Sequence, residues 1–364
     1  MMDLFDKHQH IAERHARMMS MGVNAVGMVN EKVLSPTRAI IHGRETILAG
    51  TNNYMGITFE PSVIEAGKKA LTEFGSGTTG SRIANGSYAL HGELEAEIAQ
   101  FLNRKHCIVF TTGYQANLGM MAGLAGPKDT IFLDADSHSS IYDGCTLSGA
   151  KLVRFRHNDA NDLAKRIQRM EGEEGGRLVV LEGIYSMLGD RAPLGDFVEV
   201  KKKLGFQLLV DDAHSFGVLG PNGRGLGDEA GLDDEVDFIV GTFSKSVGSI
   251  GGFGAGNHPL FNTIRYASRP YMFTASPSPA AAATALQAVK VLAREPERRD
   301  RLRENSARLH AGFKALGLTM GCDVVSPVIA VKCKDEPTTI GMWNELLNAG
   351  VYVNIALPPG TPSK

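Results

Sequence analysis

A series of short apolar runs, alternating with stretches of helical spacing, limits what this chain can fold into. The runs fall at residues 107–111, 130–133, 151–155, 178–182, 207–211 and 238–241, and the helical patterns between them at 92–102, 115–122, 160–170 and 197–204. A strand that is apolar on both faces must be covered on both, and helices alternating with such strands supply the cover. The chain therefore reads as α/β with a mostly parallel central sheet. Its 364 residues allow a large core and two or three domains, and 43% hydrophobic with 21% charged residues is ordinary for a soluble globular protein.

The flanks read differently. Polar residues with scattered Met, Ile and Val predict an N-terminal helix within 3–30, followed by a short strand at 46–50. From Pro277 an alanine-rich helix at 279–293 leads through the charged stretch 294–300 into a second long helix ending near Leu316. Strands are expected at 328–331 and 351–355, around a helix at 338–347. The resulting division is an N-terminal helix with short strands (1–55), a large α/β domain (56–285) and a smaller α+β domain (286–364), the last expected to be cut short at its C-terminal end.

A formal net charge of −2 provides no field for nucleic acid or anionic membranes. The cysteines Cys107, Cys145, Cys322 and Cys333 are widely spaced and contain no C-x-x-C pair, which suits a reducing compartment and argues against structural zinc. The N-terminus lacks the basic and apolar regions of a signal peptide. No apolar run reaches the roughly 18 residues that a bilayer span needs. The expectation is a cytoplasmic protein with no transmembrane segment, no nucleic-acid partner and no metal site.

In an open parallel sheet, ligands bind at the carboxyl ends of the strands. Here the first run leads into Thr111-Thr112-Gly113-Tyr114-Gln115, a helix start whose glycine allows close approach to a phosphate. The second ends in Asp134-Ala135-Asp136-Ser137-His138, the fourth in Glu182 and then Ser186, the fifth in Asp211-Asp212-Ala213-His214, and the sixth in Thr242 and Lys245. Each has a plainer explanation by itself: a βα-turn glycine, a capping histidine, a turn serine, a surface lysine. Together they offer an amine, a carboxylate, two imidazoles, hydroxyls and a phosphate cradle, the set that pyridoxal phosphate requires. A metal reading of Asp211, Asp212, His138 and His214 leaves Lys245 and the cradle without a role.

Other motifs fail. Residues 75–82 have the glycine spacing of a Walker A loop but Ser81-Arg82 where Lys-Ser/Thr is needed. There is no G-x-S-x-G, no H-E-x-x-H, and no G-x-G-x-x-G between strand and helix in the glycine run 251–256.

The segments 75–82, 133–138, 140–145, 185–190 and 241–248 resemble those of the α-oxoamine synthases, a family of fold-type I pyridoxal-phosphate enzymes. The resemblance extends from 51–56 to 357–362, and the wording of its last three segments points to members that use serine. It implies that Lys245 forms the Schiff base, Asp211 pairs with the pyridine nitrogen, His214 with the phenolic oxygen, and His138 stacks on the ring and orients the amino acid. Ser186 would lie beside the cofactor, and Asn53 would line the substrate entrance. Gly113, Tyr114 and Thr242 would serve the phosphate, joined by Thr274 from a second subunit, which implies a homodimer with a shared site.

The reaction implied is a decarboxylating condensation of L-serine with a long-chain acyl thioester on coenzyme A or a carrier protein. Its product is 3-ketosphinganine, the first intermediate of sphingolipid synthesis, and peripheral membrane contact would suit so lipid-like a product. Alternatives are sister enzymes that use glycine or alanine (2-amino-3-ketobutyrate ligase, 8-amino-7-oxononanoate synthase, 5-aminolevulinate synthase) or a non-catalytic partner subunit, which would have no need of Lys245. One departure stands out. Family members carry an arginine after the segment equivalent to 357–362 that grips the substrate carboxylate, whereas Lys364 is the last residue here, and no arginine present is given that role.

Overall fold

The computed structural model of the chain describes residues 3–22 and 28–357, so most of the segment 357–362 lies outside the described residues. Strands β1 (Lys32–Ser35), β2 (Arg38–Ile41) and β3 (Arg44–Leu48) come first. They are followed by β4 (His106–Phe110), β5 (Thr130–Asp134), β6 (Lys151–Phe155), β7 (Arg177–Glu182), β8 (Gln207–Asp211), β9 (Phe238–Thr242), β10 (Gly252–Gly256) and β11 (Val351–Tyr352). The chain forms two compact units. The larger comprises Asn52–Leu316 and Met320–Ala330; the smaller takes the residues up to Thr51, Gly317–Thr319 and those from Val331 on.

In the smaller unit, β1, β2 and β3 form an antiparallel meander, and β11 adds to β3 in parallel through Val351 opposite Ile47. The expected strand over 351–355 is therefore only two residues long. The helix expected within 3–30 is also shorter, a 3₁₀ turn at Asp6–His8 and an α-helix over Gln9–Ser20. Gly22, at φ 78°, takes the left-handed conformation that commonly ends a helix. The helix Glu336–Asn348 forms as expected, with Asp335 accepting from the Thr338 N–H at 2.9 Å.

The larger unit holds a seven-stranded sheet in the order β4-β10-β9-β8-β7-β5-β6. All its pairings are parallel except those of β10, which runs antiparallel to both β4 and β9. Alternate residues feed different cores: Phe132, Val179, Leu181, Leu208 and Val210 pack on one face, Ile131, Leu133, Leu178, Val180 and Leu209 on the other. Truncating a fully buried ring such as Phe132 to alanine costs about 3–5 kcal/mol. The helices Ala89–Phe101, Gly113–Leu124, Ala160–Gln168 and Leu194–Leu204 stand where helical spacing places them, joined by Pro61–Phe74 and Ser139–Ser148.

Two departures concern backbone pairing. The run 328–331 forms no regular strand; Pro327 precedes it without a donor to offer, and its pairing is limited to contacts such as the Gly321 N–H donating to Ala330 O at 2.8 Å. The glycine run 252–256 is a buried strand. Glycine is poor in strands by propensity, but here space decides: a Cβ on Gly254 would overlap Met120 Sδ, and one on Gly252 would lie 2.6 Å from Cα of Gly113. With glycine at 252 and 254 leaving one face of β10 bare, the helix Gly113–Leu124 lies directly upon it. Among the described residues no helix is long and apolar enough to cross a membrane.

Candidate active site

The C-terminal ends of β5, β7, β8 and β9 deliver polar residues to one end of the sheet. A cavity of about 360 Å³ opens there, lined by Gly113, Tyr114, His138, Asp211, His214, Thr242 and Lys245 among others. The residues read as the reactive amine, ring-nitrogen partner, imidazoles and phosphate cradle are thus brought together within the larger unit.

Lys245 stands in the tight turn after β9, which is closed by Gly248 N–H to Lys245 O (3.0 Å) and Ser249 N–H to Phe243 O (2.8 Å). Val247 and Ser246 are buried beneath it, and the Ser246 hydroxyl donates to Phe216 O. Burial lowers the lysine's pKa, against the pull of the Asp211 and Glu182 carboxylates. A larger unprotonated fraction makes the amine a better nucleophile.

Asp211, at the end of β8, is 4% exposed. Its Oδ1 accepts from the Ala213 N–H (2.9 Å) and its Oδ2 from Asn117 Nδ2 (2.7 Å). The parallel register sets Glu182 of β7 directly opposite. Burial, and then the neighbouring Asp211 charge, raise the Glu182 pKa well above the carboxylate range. Glu182 therefore holds its proton more tightly than an ordinary carboxylic acid, and its Oε1 accepts from the His138 N–H.

His138 caps the helix Ser139–Ser148, its Nδ1 accepting from the Ser140 N–H at 3.2 Å. Burial and the positive charge of Lys245 lower its pKa, and Asp211 and Asp143 oppose them. His214 is more deeply buried, and burial, reinforced by Lys245 and His138, brings its pKa down to about 2. Its Nδ1 lies 2.7 Å from Tyr54 Oη.

The helix start read as a phosphate cradle is built by close approach. Thr112 caps the helix Gly113–Leu124 by accepting from the Gln115 N–H (3.1 Å), and the first-turn amides of Gly113 and Tyr114 lie ahead of any intrahelical acceptor. A Cβ on Gly113 would sit 2.6 Å from both Cβ and Oγ1 of Thr242, so only glycine permits this geometry. The Thr242 hydroxyl donates to Gly251 O (3.1 Å), while Ser244, exposed and also lining the cavity, lies 2.9 Å from Thr242 Oγ1. A helix start with free first-turn amides, a buried carboxylate and a lysine of lowered pKa fit pyridoxal phosphate.

Three of the expected residues do not line this cavity. Ser186 sits in the turn after β7, which closes through the Tyr185 N–H to Asp190 O (2.9 Å). Asn53 donates from Nδ2 to Thr58 Oγ1 (2.8 Å). Thr274 accepts from Gln115 Nε2 (3.1 Å), behind the phosphate cradle of its own chain. Asp212, included in the metal reading, is likewise elsewhere: its carboxylate accepts from Ser215 Oγ and the Leu226 N–H, and burial pushes its pKa up to about 7.

Sequence reasoning gave no role to Asn117, Ser140, Glu182, Ser244 or Tyr54. Asn117 had a readable signal, being an amide among the buried apolar residues Ala116, Met120 and Met121 of one helix.

A family model described as aminotransferase class I and II matches residues 44–364. A serine palmitoyltransferase of Caulobacter vibrioides is 53% identical over 361 residues, covering 99% of this chain and 89% of that one. The serine palmitoyltransferase of Sphingomonas paucimobilis is 50% identical over 365 residues, covering 99% and 86%. An 8-amino-7-oxononanoate synthase of Symbiobacterium thermophilum is 39% identical over 322 residues, covering 88% and 82%. Among solved structures, a serine palmitoyltransferase with PLP internal aldimine superposes with a TM-score of 0.97 at 49% identity, over 100% of this chain and 91% of that one. An 8-amino-7-oxononanoate synthase of Francisella tularensis superposes with a TM-score of 0.72 at 25% identity, over 84% and 87%.

Proposed function

This chain belongs to the class I and II aminotransferase family, on the branch of the serine palmitoyltransferases, and we propose that it condenses L-serine with a long-chain acyl thioester. The net reaction joins the serine α-carbon to the thioester carbonyl carbon, expels the thiol and releases the serine carboxylate as CO2, giving 3-ketosphinganine. The observation that carries this reading is the single cavity in which Lys245, Asp211, His138, His214 and the Gly113 helix start converge.

Pyridoxal phosphate, when bound, supplies an aldehyde for amines and a ring that accepts electrons from the adjacent carbon. Lys245 would provide the amine that holds it and a base at Nζ for the serine α-proton. Asp211 holds the proton on the ring nitrogen. Glu182 supports His138 through its backbone N–H, and burial beside Asp211 favours its protonated form. His214, with Nδ1 engaged by Tyr54, has Nε2 left for the phenolic oxygen. His138 presents its ring to the cofactor face and to the amino acid carboxylate. The amides of Gly113 and Tyr114 and the Ser244 hydroxyl would meet the phosphate, joined by the Thr242 hydroxyl once it turns from Gly251 O.

A homodimer with a shared site is part of the proposal. It is supported by Thr274, placed outside its own cavity, and by its neighbour Phe273, 70% exposed. The acyl donor is a coenzyme A or carrier-protein thioester. A cytoplasmic location suits the four free cysteines. The test is a steady-state comparison of serine, glycine and alanine with palmitoyl-CoA, with mass identification of the ketone. Preference for glycine or alanine would move the assignment to the 8-amino-7-oxononanoate synthase type of relative.

A further inference from the structure

Counting hydrogens along one buried chain of side chains decides which nitrogen of His138 is protonated. The Asp211 carboxylate offers only acceptors, so the Asn117 atom that meets Oδ2 at 2.7 Å must be the amide nitrogen. The other hydrogen of that nitrogen is directed at Ser140 Oγ, 2.9 Å away. Ser140 thus accepts from Asn117 and keeps one hydrogen of its own, with His138 Nδ1 at 2.7 Å to receive it. The Ser140 backbone N–H reaches the same nitrogen at 3.2 Å. A ring nitrogen that accepts from two donors carries no hydrogen, which leaves the single hydrogen of the neutral ring on Nε2.

We propose that Asn117 and Ser140 are positioning residues that couple Asp211 to His138 and lock His138 as its Nε2–H tautomer, so that the ring donates a hydrogen bond into the cavity. The inference rests on the reading of His138 as the group that meets the amino acid carboxylate, for which a donor is the required partner. The path is dry as far as Ser140: Asn117 is 4% and Ser140 1% exposed, so water does not compete for the Asn117 hydrogen bonds, while the His138 ring is open to the cavity. Its geometry depends on Gly144, where a Cβ would lie 2.8 Å from Met121 Cγ and 3.0 Å from Asn117 O. That glycine lets the helices Gly113–Leu124 and Ser139–Ser148 approach closely enough for the Asn117 amide to reach Ser140. The charged groups bearing on the ring are Asp211 and Lys245 from the neighbouring strand ends and Asp143 on its own helix, with neutral His214 nearby. Asp211 and Asp143 favour the charged ring, while burial and Lys245 favour the neutral one, and the net shift is downward.

The test is ¹⁵N NMR of the holoenzyme labelled at histidine, with the His138 signals assigned by their loss in His138→Gln. The expected spectrum has an unprotonated Nδ1 and a protonated Nε2 at neutral pH. Ser140→Ala should mix the two tautomers and raise the titration midpoint of His138; Asn117→Ala should do the same, and Ser140→Thr should restore the wild-type pattern. In Ser140→Ala, kcat/KM for serine should fall by about fivefold to tenfold, the consequence of one lost hydrogen bond, with the cofactor absorbance retained. A protonated Nδ1 in the wild type, or a Ser140→Ala spectrum identical to wild type at His138, overturns the proposal. The expected ¹⁵N pattern in a protein that forms no ketone would remove the assigned reaction and leave the tautomer lock standing.

Discussion

Tyr54 Oη lies 2.7 Å from Nδ1 of His214, linking the loop before the helix Pro61–Phe74 to the turn that follows β8. Burial pushes the phenol's pKa up and the imidazole's down to about 2, so both partners are neutral across the working range, and the phenol's one hydrogen is shared between His214 Nδ1 and Asn52 Oδ1 at 3.2 Å. Tyr54→Phe leaves Nδ1 without its donor and frees the tautomer of His214. We expect cofactor affinity to fall about fivefold to tenfold, the effect of one buried hydrogen bond, in a spectral titration of the apoprotein. Unchanged affinity and spectrum would show that the phenol does not hold the ring.

Lys245→Ala should abolish the borohydride-sensitive absorbance that the wild-type protein shows after loading with pyridoxal phosphate. Turnover should drop by about 10³-fold or more, since both the anchoring amine and the proposed base are lost. A variant that keeps the band would place the Schiff base on another lysine.

Gly113→Ala brings a methyl within 2.6 Å of Thr242 on one side of the phosphate cradle. Relieving such an overlap costs about 1–3 kcal/mol. We expect at least about tenfold weaker cofactor binding by absorbance titration. Retention of wild-type affinity would mean that the first turn does not carry the phosphate.

Glu182→Gln tests whether the acid is neutral. An amide keeps an acceptor for the His138 N–H and removes a charge that burial and Asp211 already disfavour. Activity and cofactor spectrum should stay within about threefold of wild type, less than the loss of one hydrogen bond. A loss of a hundredfold would mean that Glu182 is ionised when it acts.

His157 bridges two carboxylates, with Nδ1 2.8 Å from Asp134 Oδ1 and Nε2 2.7 Å from Asp190 Oδ2. Burial lowers its pKa, but the two carboxylates outweigh burial and raise it to about 10. A folded-state pKa above the unfolded value of about 6.5 contributes stability that is full below about 6.5 and lost as pH rises through about 10. His157→Gln should cost about 2–3 kcal/mol at pH 6 in urea denaturation, below the range for a fully buried pair because the ring is partly exposed. The gap should close as pH approaches 11. A pH-independent gap would show that packing against Tyr185, not charge, is what the variant removes.

The physical basis of each element explains how much could be read in advance. Strands such as Thr130–Asp134 and Gln207–Asp211 are continuous apolar runs, and that pattern has few other interpretations. The strand Gly252–Gly256 has no such signature, because its composition is dictated by Met120 and Gly113 lying above it, a contact distant in sequence. The site divides in the same way. Lys245, Asp211, His214 and His138 follow strand ends and were legible from position. Asn117 and Ser140 sit within helices, and their importance comes from which atoms they meet across elements. Ser186 and Asn53 came from resemblance, and the structure places them outside the cavity lining.

The edge strand β4 pairs with one neighbour only, and that neighbour is β10. During synthesis, His106–Phe110 and the phosphate-binding turn after it emerge long before Gly252–Gly256 exist. Strands β5 to β9 need no residue beyond Thr242 for their own pairings. Long-range antiparallel closure such as that of β4 onto β10 is slow and comes late. If the turn after β4 carries the phosphate, a chain ending before Gly256 would load coenzyme poorly, and loading would report that synthesis has passed β10.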